Sequence, residues 1–229
     1  MKVAIMQPYF FPYIGYWQLI SAVDTFVIYD EVTFIKQGYI NRNNILVNGE
    51  KKYLTLETIG ASSNTKIKEV RVGRNRKKLL RTLQNAYFKA PYFNTIMPML
   101  ESMINNPDDK LSTFLGNQIL EICKYLDINT NIIYSSQLDF DNTRSAQDKV
   151  IDICTELHST QYINAIGGSK LYNIDDFDIK NIKLNFIDTQ IIEYKQFNNE
   201  FVPYLSIIDI LMFNSKETIK KMLQKYSLV

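Results

Sequence analysis

The first twenty residues constrain the fold more than any other stretch, because they change character twice within a short distance. Residues 2–6 form an apolar run of the length and branching expected for a buried strand. Residues 7–16, QPYFFPYIGY, then contain two prolines and a glycine, which interrupt regular structure. From Trp17 onward, apolar residues recur at roughly helical spacing. A strand, a turn and a helix in this order predict the opening unit of a Rossmann-like α/β fold.

The turn after this strand is a candidate ligand site. In open α/β sheets, ligands bind in the crevice beyond the carboxyl ends of the strands. Gln7 follows the first predicted strand, and Gly15 would allow a backbone or a ligand to approach closely. The free N–H groups at the start of the helix would face an anion. The alternative is a core strand whose flanking aromatic residues only pack, and the residues alone leave both interpretations open.

A second strand is predicted for residues 24–30, with Asp30 at its end. If the sheet is parallel, Asp30 and Gln7 converge at the same edge. A carboxylate at this edge suits the binding of a hydroxyl, a cation or an amine. We expect this role for Asp30 ahead of the alternative, which is a cap on the next turn.

Residues 31–72 have no long helical pattern and predict a small β-rich excursion over one end of the sheet. Asn48-Gly49 is a two-residue turn signal between two short β runs. Arg42 lies between asparagines in this region, and its planar guanidinium suits a phosphate or a carboxylate. From the residues alone, a solvated charge on a hairpin is the favoured interpretation of Arg42.

The rest of the chain alternates helices with strands. Helical patterns cover residues 74–88, 93–104 and 110–126 and resume near 143, and strands are predicted at 131–134 and 183–187, the latter as the final strand. The basic residues of the first of these helices are interpreted as a solvated exterior. His158 follows the helix near 143, where contact with the helix carbonyls explains it better than catalysis does.

Two later segments also carry candidate site residues. Residues 162–172, YINAIGGSKLY, predict a strand followed by a glycine turn and a short helix. Gly167 and Gly168 permit positive φ and leave N–H groups free for an oxyanion or phosphate, although a plain tight turn is the alternative. Ser206 is a natural N-cap for a late helix. Asp209 at the third helical position would complete that cap by reaching back, which is its structural alternative to a site role.

Composition excludes several functional classes. The chain of 229 residues has 26 Lys and Arg against 24 Asp and Glu, a balance that disfavours nucleic acid as a partner. Its apolar runs fall well short of the roughly 20 residues of a membrane span, and its start lacks the pattern of a signal peptide. Cys123 and Cys154 are expected to be buried thiols, which favours the cytoplasm. The single His158 excludes a multi-histidine metal site, so no metal is predicted.

Several motifs resemble those of one protein family. They are QPYFFPYIGY at 7–16, YD at 29–30, NRN at 41–43, AYFKAPYF at 86–93, YINAIGG at 162–168, YKQF at 194–197 and LSIID at 205–209. These motifs are similar to those of the WbqC-like protein family, whose members are typically encoded among genes for bacterial surface polysaccharides and modified sugars. The similarity extends over nearly the whole chain, so we expect a single domain over residues 1–229.

The resemblance favours binding over solvation for Arg42. It implies a transferase of surface-polysaccharide (O-antigen or capsule) or modified-sugar synthesis that acts on a nucleotide-activated or amino sugar, with acyl or aminoacyl transfer as a candidate reaction. Asp30 is the candidate general base or amine anchor, and Arg42 would hold phosphates. Asp209 is the second candidate catalytic residue. The candidate substrate-binding residues besides Arg42 are Gln7, Tyr9, Gly15, Tyr16, Asn41, Asn43, Asn164, Gly167, Gly168, Gln196 and Ser206.

The layout of the first turn and the late helix is also similar to that of nucleotidylyltransferases, which carry histidines where this chain has Tyr13 and Tyr16. Tyrosine does not supply an imidazolium charge, so adenylyl or cytidylyl transfer is disfavoured. No Ser-His-Asp or Cys-His constellation is evident, and catalysis would come from orientation and electrostatics. The rival interpretation is a non-catalytic subunit that binds a sugar or a carrier protein for a separate enzyme. The sequence identifies no cofactor.

Overall fold

Strands and helices alternate along most of the chain. The computed structural model describes residues 1–198 and 200–229. In chain order the elements are β1 (Lys2–Met6), α1 (Ile14–Ser21), β2 (Thr25–Ile28), β3 (Arg42–Val47), β4 (Glu50–Thr55), β5 (Thr58–Ile59), β6 (Arg71–Val72), α2 (Arg76–Tyr87), α3 (Phe93–Ile104), α4 (Leu111–Tyr125), β7 (Asn131–Tyr134), α5 (Ala146–Glu156), β8 (Gln161–Ala165), α6 (Ile174–Asp178), β9 (Lys183–Thr189), α7 (Ile207–Phe213), α8 (Lys216–Met222) and β10 (Tyr226–Leu228).

The central sheet has six strands in the order β10-β9-β8-β1-β2-β7. All neighbouring pairs are parallel except β9 and β10, which are antiparallel. The sheet is therefore mixed but mostly parallel. The predicted α/β fold, with a Rossmann-like sheet flanked by helices, is confirmed.

The burial of β1 explains its central position. Val3, Ala4 and Ile5 are all at most 3% exposed, since the strand has neighbours on both edges and helices on both faces. Side chains alternate across a strand, so Ala4 joins the core that contains α1, α4 and α7. Val3 and Ile5 join the smaller core that contains α5 and Phe177 of α6. A short apolar run thus specifies a strand that is covered on both sides.

The predicted excursion is part of an insertion between β2 and β7. β3 and β4 form a hairpin whose turn residues, Asn48 and Gly49, both have positive φ, as the sequence predicts. β5 and β6 form a second antiparallel pair, and α2 to α4 complete the insertion. The hairpin contacts the loop after β1 through Asn43, whose Nδ2 donates to the Phe10 carbonyl. The hairpin also contacts the start of α7, because Ser206 N–H donates to the Asn44 carbonyl at 2.8 Å.

Three details differ from the sequence predictions. The strand at 183–189 is not the last, because β10 pairs antiparallel with it at the edge of the sheet. The helical pattern at 74–88 predicts that Phe88, like the other apolar residues of this helix, packs inward, but Phe88 is 58% exposed because it is the C-cap and lies beyond the packed turns. The glycine turn at Gly167 and Gly168 is a six-residue 3-10 helix in which neither glycine has positive φ.

Candidate functional site

The strand order places a switch point between β1 and β8 at the carboxyl edge of the sheet. The chain runs from β1 to β2 and β7 on one side, then returns to β8 and β9 on the other side of β1. Connections from β1 and β8 therefore leave in opposite directions, and the space beyond the carboxyl ends of these two strands is called the crevice below. This is the topological switch point where open α/β sheets bind ligands.

Three polar side chains lie on one face of the sheet at this crevice. Met6 pairs with Ile28, so the next residues, Gln7 and Tyr29, are neighbours on β1 and β2. Val3 pairs with Tyr162, which places Asn164 beside Ile5 on the same face as Gln7. Gln7 is half-buried, and its side-chain amide makes no hydrogen bond within residues 1–198 and 200–229. Its donors and acceptor are thus available to a ligand.

Asn164 belongs to a hydrogen-bonded set of side chains. Its Nδ2 donates to the hydroxyls of Tyr162 and Tyr172, both at 3.0 Å, and its Oδ1 accepts from Ala165 N at 2.7 Å. A Cβ built on Gly168 would lie 3.2 Å from Asn164 Nδ2. The 3-10 helix therefore packs against Asn164 through Gly168, which has no side chain to clash. The Asn164 side-chain amide is held in one orientation without a ligand.

Tyr29 and Tyr172 add phenol groups beside this set. Burial, with smaller contributions from Tyr172 and Glu31, raises the pKa of Tyr29 to about 12. The Tyr29 ring also lies 6.5 Å from that of Phe140. Both phenols stay protonated at neutral pH and can donate to a ligand oxygen. Neither was among the predicted site residues, although the alternation along β2 places Tyr29 on the face opposite Phe26 and Ile28.

The loop between β1 and α1 is held through its carbonyl oxygens. Tyr16 Oη donates to the Gln7 carbonyl at 2.9 Å, and Asn43 Nδ2 donates to the carbonyls of Phe10 and Phe11 at 3.2 and 3.0 Å. Ser206 Oγ donates to the Phe11 carbonyl at 2.7 Å. Phe11 has a φ of 42°, which is unusual for an aromatic residue. Tyr16, Asn43 and Ser206 thus fix the backbone of the predicted site, and their side chains bind the protein itself.

Aromatic side chains surround the start of α1. The Tyr9 ring lies 5.7 Å from that of Tyr16 and 6.1 Å from that of Tyr39. Burial is the main cause of the raised pKa of Tyr9. A Cβ on Gly15 would lie 2.6 Å from Thr189 Oγ1 and closer still to Tyr13, so the expected close approach is made by side chains of the protein. The adjacent recess has a volume of about 40 Å³, which is room for a few water molecules.

The two predicted catalytic carboxylates are buried and hydrogen-bonded within the protein. Asp30 Oδ1 accepts from Ser135 Oγ at 3.0 Å and Ser136 N at 3.1 Å, and Oδ2 accepts from Ser136 Oγ at 2.9 Å. These bonds join the end of β2 to the end of β7. The Asp30 carboxylate therefore faces β7, while the crevice lies on the other side of β2.

Asp209 is fully buried on α7 and does not reach back to cap its own helix. Its carboxylate accepts from Tyr87 Oη at 2.9 Å, Tyr194 Oη at 2.7 Å and Gln196 Nε2 at 2.6 Å. Burial raises the pKa of Asp209 even though these donors favour the charged form. The cluster joins α7 to α2 and to the segment after β9.

Arg42 and Asn41 also bind the protein. The Arg42 guanidinium donates to the carbonyls of Gly38, at 3.2 Å, and Gln37, and it lies 4.2 Å from the centroid of the Tyr53 ring. Asn41 Nδ2 donates to the Leu56 carbonyl at 2.8 Å. An anion would therefore have to share Arg42 with a loop that it already stabilises, and its role as an anion ligand stays a prediction.

A charged cluster near Tyr29 was not predicted from the sequence. The Glu31 side chain is 7% exposed and accepts from Lys66 at 3.1 Å, from Lys68 and from Asn142. The two lysines hold the pKa of Glu31 below its ordinary value, although burial opposes them. Because these partners lie 35 or more positions away along the chain, no local pattern could have identified them.

Other chemistry is limited in the part of the chain that the structure describes. Burial raises the pKa of Cys123 and Cys154 to about 12 each, so neither is a ready thiolate. No group of three or more His, Cys, Asp and Glu residues is arranged to hold a metal ion in residues 1–198 and 200–229. None of the described helices combines the length and apolar character needed to cross a bilayer.

Comparison with known proteins identifies a family and one relative. The profile of the WbqC-like protein family matches residues 7–221. An uncharacterized protein of Mycobacterium tuberculosis is 27% identical over 215 residues, which cover 92% of each chain. No solved structure matches the chain significantly.

Proposed function

The chain belongs to the WbqC-like protein family, and we propose that it is a transferase-type enzyme that binds a nucleotide-activated or amino sugar in the crevice between β1 and β8. The family name suggests a role in polysaccharide biosynthesis. One observation carries the proposal, which is the convergence of Gln7, Tyr29 and Asn164 on one face at the switch point. Amides and phenols are suited to sugar hydroxyls and to ring faces.

In this proposal, the available amide of Gln7 and the phenols of Tyr29 and Tyr172 contact the ligand. The hydroxyls of Tyr162 and Tyr172 hold the Asn164 side chain in one orientation, so Asn164 forms a rigid part of the site wall. A Cβ built on Gly167 meets no atom within 4 Å, so the backbone is open at that residue, and the N–H groups near Gly167 and Gly168 are candidate donors to a phosphate. Catalysis by such a site comes from positioning and preorganised hydrogen-bond donors.

Asp30 and Asp209 have positioning roles in this proposal. Each carboxylate would lose hydrogen bonds from the protein if it turned to a substrate. Asp30 holds the ends of β2 and β7 together, and Asp209 anchors the helix whose N-cap, Ser206, holds the Phe11 carbonyl. They act on the ligand through the backbone that they support.

The experiment is a thermal-shift screen of nucleotide sugars, nucleotides, amino sugars and acyl donors, because saturating ligand raises stability by mass action. A stabilising compound is then titrated against Gln7→Ala and against Gln84→Ala, an exposed glutamine of α2. We expect Gln7→Ala to lose the shift and Gln84→Ala to keep it. The absence of any shift, or equal shifts in both variants, would contradict the proposed site.

A non-catalytic sugar-binding or carrier-binding subunit is the second candidate, and the engagement of both Asp30 and Asp209 by protein donors favours it. Mass spectrometry after incubation with the stabilising donor and candidate acceptors separates the two functions. A transferred group supports the enzyme. Binding at Gln7 without any product, across all acceptors, supports the subunit.

A further inference from the structure

Residues 70–100 differ sharply in charge from the rest of the chain. The segment contains none of the 24 acidic residues but seven basic ones, namely Arg71, Arg74, Arg76, Lys77, Lys78, Arg81 and Lys89. The remainder therefore has 19 basic against 24 acidic residues, a formal net charge of −5. A near-neutral total conceals one strongly positive region.

Helix α2 gathers these charges on one face. Leu79, Leu83 and Tyr87, spaced by four residues, are buried. Lys77, Lys78 and Arg81 lie within about 100° of one another on the exposed side. Within residues 1–198 and 200–229, no carboxylate lies within 4.0 Å of the charged groups of these three residues or of Arg74.

Helix stability does not explain this arrangement. Arg76, Lys77 and Lys78 occupy the first turn of α2, which has no acidic residue and no side-chain cap. The helix macrodipole places partial positive charge at this end and disfavours cations there. The cations of the first turn therefore lower the stability of α2, as expected for residues whose role is to bind an external anion.

An exposed aromatic ring extends the basic face. Phe88 at the end of α2 is 58% exposed, and Lys89 Nζ lies 5.2 Å from the centroid of its ring. Gln84 and Asn85 on the same side are also exposed. The face thus combines unpaired cations with one apolar ring, as at protein surfaces that bind the headgroup region of a bilayer.

We propose that the outward face of α2, from Arg74 to Lys89, binds bilayer surfaces rich in anionic phospholipid headgroups. A bilayer contacts the protein from one side, so it can meet the basic face without lying along the rest of the chain, whose net charge is negative. A long nucleic acid would extend past the basic face onto the negative remainder. One exposed ring suits the interface of a bilayer better than the repeated stacking of unpaired bases.

The test is co-sedimentation of the full chain with vesicles of phosphatidylcholine alone and of equal parts phosphatidylcholine and phosphatidylglycerol. We expect binding only to the anionic vesicles. Each basic residue near such a surface contributes about fivefold to partitioning, so the triple variant Lys77→Glu, Lys78→Glu, Arg81→Glu should bind roughly 100-fold more weakly. The control variant Lys180→Glu, Lys183→Glu, Lys225→Glu changes the net charge equally at other exposed lysines.

Folding and competing partners are checked in the same experiment. Acidic residues at the start of α2 suit the macrodipole, so the melting temperature of the triple variant should be unchanged or higher. Phe88→Ala should weaken binding at high salt, where charge is screened, while Ile179→Ala, also at an exposed apolar residue, should not. No binding to anionic vesicles, equal losses in the two triple variants, or equally tight binding of duplex DNA or polyglutamate would overturn the proposal.

Discussion

At the scale of single residues, the crevice depends on close contacts that a small side-chain change would disturb. Gly168 lies against Asn164, whose amide is already committed to two tyrosine hydroxyls. Gly167, its neighbour, has no atom within 4 Å of a built Cβ. The two adjacent glycines therefore form a matched pair for testing the crevice.

We expect Gly168→Ala to lower the free energy of unfolding by about 1–3 kcal/mol, because the added methyl presses on a hydrogen-bonded amide. Gly167→Ala should leave stability unchanged or raise it by about 0.4–1 kcal/mol through the unfolded state. Urea unfolding measures both, and ligand titration should show weaker binding in Gly168→Ala, where the added methyl displaces the Asn164 amide. Equal effects of the two substitutions on the free energy of unfolding would show that the Asn164 side chain shifts to make room for the methyl group without loss of stability.

Asp209 predicts a pH dependence of stability. Its folded-state pKa is raised, mainly by burial, so the folded chain binds this proton more tightly than the unfolded chain does. Above the folded-state pKa the buried Asp209 is charged and lowers the free energy of unfolding; below the unfolded-state pKa it is protonated in both states and has no such effect. Between these two pKa values, the contribution of Asp209 makes the free energy of unfolding rise as pH falls. Asp209→Asn removes this pH dependence of stability. It also lowers the free energy of unfolding by about 1–3 kcal/mol at neutral pH, because the new amide NH₂ faces the donors of Tyr87, Tyr194 and Gln196.

Urea unfolding of both proteins across the acid range tests this prediction. The wild-type free energy of unfolding should lie further above that of Asp209→Asn as pH falls, after allowance for the other carboxylates that the two proteins share. A difference that is independent of pH would show that Asp209 has the same pKa in the folded and unfolded states.

At the scale of elements, α7 supports the loop after β1. Ser206 is the N-cap of α7, accepts from Ile208 N, and donates to the Phe11 carbonyl from a fully buried position. Ser215 caps α8, a helix of the same length, but is only half-buried, and its side chain bonds only the backbone N and the Oγ1 of Thr218 in the same helix. Comparing substitutions at the two serines therefore distinguishes the effect of helix capping from the effect of supporting the loop after β1.

Ser215→Ala should cost about 1 kcal/mol, the ordinary value of an N-cap. Ser206→Ala should cost about 2 kcal/mol or more, because it also removes a buried hydrogen bond from the Phe11 carbonyl. Ligand-induced stabilisation should fall in Ser206→Ala and persist in Ser215→Ala. If both variants respond alike, the loop does not depend on α7 for its binding geometry.

At the scale of the whole molecule, the sheet separates a supporting edge from a binding edge. The amino ends of the strands are joined by backbone hydrogen bonds between the residues that precede neighbouring strands, such as the bond from Asn131 N to the Asp24 carbonyl. The carboxyl ends receive contacts from the hairpin of β3 and β4, from α7 and from the 3-10 helix after β8. Ligand binding at the switch point should therefore change the dynamics of one edge only.

Hydrogen exchange with mass spectrometry tests this asymmetry. A ligand found by thermal shift should slow exchange in residues 7–16 and 166–172, since opening of these segments would require its release. Exchange near residues 127–131 and 158–161, at the amino edge, should be unaffected. Protection confined to the amino edge or to the insertion would place the ligand site elsewhere.

The sequence alone determined the local elements. The apolar run of β1, the turn at Asn48-Gly49 and the N-cap at Ser206 depend on side-chain period, backbone φ and capping, which act over a few residues. β10 escaped prediction because a strand of three residues at a sheet edge has no periodic pattern of its own.

Tertiary structure decided which polar residues face a ligand and which face the protein. Gln7 and Asp30 both follow strands, yet Gln7 lies at the switch point while Asp30 binds serines 105 and 106 positions away. Asn43, Asp209 and Gln196 likewise find partners that only the fold brings near. A buried polar group must satisfy its hydrogen bonds with whatever the fold places beside it, and that neighbour is set by long-range packing.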